Sequence, residues 1–105
     1  MKIQFEISIY QLAFVNEMLA DFLNGNVNSH PKAVKASYCL LMEVAEKVLK
    51  KGIDNRLALK PFKMTLKYYQ VYYLHQFLLT HIDNEQTEKR RVIREVLATL
   101  NQKLT

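Results

Sequence analysis

Residues 65–82, TLKYYQVYYLHQFLLTHI, form the most apolar continuous stretch of the chain, and whatever else folds must accommodate it. No glycine or proline interrupts it, so the backbone is free to stay helical throughout. Val71, Leu74, Leu78 and Ile82 recur at three- and four-residue spacing and lay one apolar stripe along one face. Tyr69, Tyr73 and Phe77 make a second stripe, and Tyr68, Tyr72 and Leu79 a third. A helix apolar over most of its circumference is normally enclosed by neighbours. The expectation is therefore a central helix over 65–82, capped by Thr65, with the remaining chain packed around it. Each tyrosine hydroxyl must reach water or a hydrogen-bond partner. The tyrosines are thus either rims of a buried helix, or one face made of Tyr68, Tyr69, Tyr72 and Tyr73 docks a protein partner or a second copy. Lys67, Gln70, His75, Gln76 and His81 put too many polar groups in the segment for hydrocarbon, so no membrane span is expected.

The flanking sequence supplies candidate neighbours. Ile3, Phe5 and Ile7 alternate with Lys2, Gln4 and Glu6, the period of a strand with one buried face. Ser8 and Gln11 have the spacing of a capping box. They open a helix to about residue 24, with Leu12, Val15, Leu19 and Phe22 inward and Gly25 at its end. Pro31 suits the first turn of a second helix running to about Lys51 and closed by Gly52. Its stripe is Val34, Tyr38, Leu41, Ala45 and Val48; Ala33, Ala36, Ser37 and Cys39 are small enough for close helix approach. Residues 57–64 read as a second strand whose phase slips at Pro61, implying a bulge or an edge position. After Asp83 and Asn84, a fourth helix over about 85–103 points Ile93, Val96, Leu97, Leu100 and Leu104 inward.

The element order strand, helix, helix thus occurs twice, in pseudo-halves of about 1–52 and 53–105. A 57-residue shift sets Phe5 on Phe62 and Ser8 on Thr65. The fold class expected is mostly helical α+β, one domain of 105 residues. Four helices would form a bundle-like layer over a minor two-stranded antiparallel ribbon, Glu6 lying near Lys63. Only two glycines and two prolines occur, too few turns for an all-β fold. Cys39 is the single cysteine, so no intrachain disulfide is possible. It reads as a small packed residue. The opening MKIQFEISIY lacks the apolar run of a secretory signal, and a cytoplasmic protein is the expectation.

Charge is uneven. Residues 47–67 hold seven cations, Lys47, Lys50, Lys51, Arg56, Lys60, Lys63 and Lys67, against Asp54 alone. With both strand-to-helix junctions at one end of the bundle, these would share a pole suited to an anion. Lys89, Arg90, Arg91 and Arg94 make a second cluster, with Glu95 placed to pair Arg91 at i, i+4. His30, His75 and His81 do not have the spacing of a metal set. No serine, histidine and acid arrangement can be argued from spacing, and two glycines in all make no glycine-rich phosphate loop. A non-catalytic interaction or self-association module without cofactor or metal is expected, using Tyr68, Tyr69, Tyr72 and Tyr73. The alternative is a nucleic-acid-binding accessory protein using the lysine pole with Arg90, Arg91 and Arg94.

Overall fold

The computed structural model describes residues 1–23, 32–82 and 87–105, and the side chains of all of these but 32–38. In chain order the elements are β1 (Lys2–Ile7), α1 (Ile9–Leu23), α2 (Lys32–Asp54), β2 (Phe62–Lys67), α3 (Tyr68–His81) and α4 (Thr87–Leu104). The protein is mostly helical α+β: four helices among the described residues, and a two-stranded antiparallel ribbon. Gly25, Pro31, Asp83, Asn84 and Glu85 lie outside the described residues, as do the side chains of Ala33, Val34, Ala36, Ser37 and Tyr38.

Alternation decides the ribbon. Ile3, Phe5 and Ile7 are buried on one face of β1, while Lys2, Gln4 and Glu6 are exposed. On β2, Met64 and Leu66 are buried and Phe62 half-buried, while Lys63, Thr65 and Lys67 face solvent. The register pairs Phe5 with Met64, Glu6 with Lys63 and Lys2 with Lys67. A strand over 57–64 with a bulge at Pro61 is not what forms. Leu57 and Leu59 are 84% and 99% exposed, and the strand is the unbroken run 62–67. Pairing with β1 fixes the phase of Phe62, Met64 and Leu66, so Pro61 simply precedes the strand.

Helix boundaries shift for equally local reasons. Thr65 is not a cap, because it belongs to β2 opposite Gln4. The N-cap of α3 is Lys67, whose N–H donates to the Gln70 side-chain oxygen at 2.9 Å. At α1 the expected box is present: Ser8 Oγ accepts from the Gln11 N–H at 3.1 Å, and Gln11 Oε1 accepts from the Ser8 N–H at 3.0 Å. Gly52 does not end α2, which runs two residues further. Asn55 closes it instead, its N–H at 3.1 Å and its Nδ2 at 2.9 Å both donating to the Lys51 carbonyl.

These caps shift the alignment between the two strand–helix–helix units. A 59-residue offset sets Ser8 and Gln11 on Lys67 and Gln70, and Leu12, Val15 and Leu19 on Val71, Leu74 and Leu78. The 57-residue shift aligned Ser8 with a strand residue. A 52-residue offset sets Leu41, Val44 and Val48 of α2 on Ile93, Val96 and Leu100 of α4. All of these aliphatic residues are buried in one continuous core. Helix contacts follow the same plan: α1 packs on α2 and α4, and α3 packs on α4 and α2. Each hairpin thereby covers apolar surface that the other cannot cover alone.

Candidate interaction surface

The stripe Val71, Leu74, Leu78 and Ile82 is buried as expected, together with Phe77 and Gln70. Enclosure on nearly every side does not follow. Neighbours cover only the inward face of α3, and residues 65–67 are extended rather than helical. On the outward face Tyr68 is 42%, Tyr69 38%, Tyr72 45% and Leu79 52% exposed. Tyr73 is half-buried, its ring edge-on to Tyr72 at 5.6 Å. With Phe22, Leu41, Phe77 and His81 it lines a shallow depression of 400 Å³. The four tyrosines therefore split into three on the outer surface and one at its margin. The Tyr69 hydroxyl donates to Glu43 Oε2 at 3.2 Å, and Lys67 Nζ lies 5.9 Å from its ring centre.

The repeat supplies an internal comparison for this face. Tyr68, Tyr69, Tyr72 and Leu79 correspond to Ile9, Tyr10, Ala13 and Ala20 of α1. Tyr10 and Tyr69 do the same job in the two halves. Tyr10 donates to Glu88 Oε1 at 2.8 Å, tying α1 to α4 as Tyr69 ties α3 to α2. Tyr72 and Leu79 have only alanines as counterparts.

The lysines do not all share one pole. Because the ribbon is antiparallel, the junction at Ser8 lies beside Phe62 and the junction at Tyr68 beside Met1, whose carbonyl accepts from the Tyr68 N–H at 2.9 Å. Six strand residues at about 3.3 Å each separate the two ends. Lys47 and Lys67 belong to the α3 end, Lys47 Nζ donating to Gln70 Oε1 at 3.2 Å. Lys60 and Lys63 stand at the other end, exposed. Lys51 lies against the Phe62 ring at 6.0 Å, and Arg56 follows the end of α2. Lys47, Lys50 and Lys51 line a 280 Å³ depression beside β2 with Asp54, Met64 and Thr65. Its counterpart beside β1 is lined by Thr99, Gln102 and Lys103 at the corresponding α4 positions, so three lysines there are not a requirement of the fold.

The second cluster is largely committed to local pairs. Arg91 binds Glu88 at 2.6 Å and Glu95 at 3.1 Å. The Arg91 guanidinium, then the Tyr10 hydroxyl, holds the Glu88 carboxyl below its usual range; the same contacts push Tyr10 and Arg91 up. Lys89 is buried and pairs with Glu17 at 3.3 Å. Arg90 is half-buried and Arg94 exposed.

Two buried polar residues escaped the sequence reading. Gln70 stands three residues after the N-cap, the spacing that identified Gln11, but the strong apolar pattern around it masked that signal. Lys89 lies in phase with Val92, Ile93 and Val96, which its charge concealed. Val44 and Met18 are likewise buried and belong to stripes read too narrowly. Cys39 is exposed rather than packed, because it projects from the side of α2 away from the core. No group of metal-ligating side chains gathers among the described residues. No described helix is long and apolar enough to cross a membrane.

No family model matches the chain, and no curated protein or solved structure matches it either. Function has to be read from these surfaces alone.

Proposed function

We propose that the protein is a non-catalytic association module whose outer α3 face, Tyr68, Tyr69, Tyr72 and Leu79, packs against a second copy of the chain. One observation carries this reading. Tyr72 and Leu79 are large, half-wetted apolar groups at positions where the matching helix carries alanine. Exposed apolar side chains that contribute little to a fold gain their favourable burial on association. Tyrosines also lose little conformational entropy on docking, and their hydroxyls tolerate a wet rim. A nucleic-acid role for Lys47, Lys50, Lys51, Arg56, Lys60, Lys63 and Lys67 with Arg90, Arg91 and Arg94 would want both clusters unpaired on one face. Arg91 is held between Glu88 and Glu95, and the ribbon divides the lysines between two ends. Those features favour the tyrosine face.

Sedimentation equilibrium at micromolar concentration tests the reading. The wild-type chain is expected to associate reversibly. Tyr72→Ser with Leu79→Ser should return it to monomer while leaving the helical circular dichroism unchanged. A wild-type chain that stays monomeric at all accessible concentrations defeats the proposal.

A further inference from the structure

The end of α2 and the connection after it present an unusual combination of groups. Leu49 and Ile53, one turn apart on α2, are 51% and 56% exposed. With Arg56 they edge an apolar depression of 260 Å³. Leu57 and Leu59 follow at 84% and 99% exposed, so neither contributes appreciably to the core. The segment is a built turn: Asn55 bonds twice to the Lys51 carbonyl, and the Ala58 N–H donates to the Asn55 carbonyl at 2.9 Å. Near them in the chain stand Arg56, Lys60 and Lys63, all exposed, with Lys50 one turn before Asp54 on α2; the carboxylates here are Asp54 and Glu6, the latter opposite Lys63 in the ribbon.

We propose that this pole binds a lipid surface carrying anionic phospholipid, with Leu57 and Leu59 entering the interface and Lys50, Arg56, Lys60 and Lys63 at the level of the headgroups. Protruding aliphatic knobs beside an excess of cations, Lys50, Arg56, Lys60 and Lys63 against Asp54 and Glu6, match a soft apolar layer beneath a negative surface. A folded protein partner would need preformed sockets for two projecting leucines. Single-stranded nucleic acid would need accessible rings for stacking, whereas Phe62, next in the chain after this turn, is half-buried under Lys51. Attachment of this kind needs no spanning helix. The site stands at the far end of β2 from Tyr68 and is independent of the association face.

Co-sedimentation of the full chain with vesicles tests it. One set is phosphatidylcholine alone, and the other contains about a third phosphatidylserine. The chain should bind the second set and not the first, and less as salt rises. Leu57→Ser with Leu59→Ser should weaken binding at least about tenfold. Lys60→Gln with Lys63→Gln should weaken it by roughly fivefold per cation removed. All four side chains are exposed, so thermal melts should match wild type. Tyr72→Ser should bind vesicles as wild type does. No binding to the phosphatidylserine set at low salt overturns the proposal. So does equal binding by the double-serine variant, which would mean charge attraction without insertion. Tight binding to an oligouridylate probe with none to vesicles overturns it in favour of nucleic acid.

Discussion

Gln70→Leu should be among the more costly single changes of a polar residue in this protein. Gln70 is only 2% exposed, and one atom, Oε1, accepts both the Lys67 N–H at 2.9 Å and the Lys47 ammonium at 3.2 Å. Lysine has no side-chain acceptor of its own, so Gln70 caps α3, and with Tyr69–Glu43 it joins α3 to α2. Loss of a capping interaction costs about 1 kcal/mol. Loss of a hydrogen bond to a charged donor costs about as much again, reduced here because the Lys47 head group can turn to water. The expected total is about 1.5 kcal/mol. At about 5 °C per kcal/mol for a chain of this size, Tm falls by about 7 °C. Gln70→Glu keeps an acceptor at both contacts and places a negative charge at a helix N-terminus beside a cation, so it should lie within about 0.5 kcal/mol of wild type. Gln11→Leu is the internal control. Ser8 Oγ still caps α1 there, and the second Gln11 contact, to Glu95, is at the surface. Its cost should be about 0.5 kcal/mol. Urea titration by circular dichroism at neutral pH ranks the three. A Gln70→Leu variant within 0.5 kcal/mol of wild type, or one more stable than Gln11→Leu, would falsify the account of Gln70 as a tie between α3 and α2.

Gly52→Ala should stabilise the protein by about 0.5–1 kcal/mol, since the residue is inside α2 and an added Cβ meets only Leu12 Cδ2 at an ordinary 3.6 Å; a lowered Tm would show that α1 and α2 cannot absorb the methyl group. The Tyr10–Glu88–Arg91 contact should make stability pH-dependent at both extremes. Glu88, depressed below its ordinary 4.5, contributes above that value and is lost as pH falls through its lowered pKa. Tyr10, raised above 10.0, contributes below that value and is lost as pH rises through its raised pKa. Glu88→Gln should flatten the acid limb of a melting-temperature profile, and an unchanged limb would assign the acid loss to other carboxyls.

How much of this was legible in the sequence depends on the range of the interaction involved. Strand β1, the Ser8–Gln11 box and the inward stripe of α3 are local patterns, and each formed as the spacing implied. The true bounds of β2 were not legible, because its phase is set by β1, more than fifty residues away, and the slip expected at Pro61 falls before the strand. Gly52 misled for a related reason: glycine permits a helix to end, but Asn55 was better placed to satisfy the Lys51 carbonyl. The candidate surfaces were legible only as inventories. Four adjacent tyrosines and seven nearby cations could be counted, yet not whether they were covered, paired or together.

Hydrophobic period and capping residues, read from the chain alone, determined that it would make two strand–helix–helix units around a shared core, because those signals act within a few residues. Tertiary structure decided the rest. The antiparallel ribbon, already expected from the sequence, places the two strand-to-helix junctions at opposite ends rather than at one, and one-sided packing of α3 left Tyr72 and Leu79 wet. Which groups stay exposed depends on the neighbours that distant segments bring, and no local pattern encodes that.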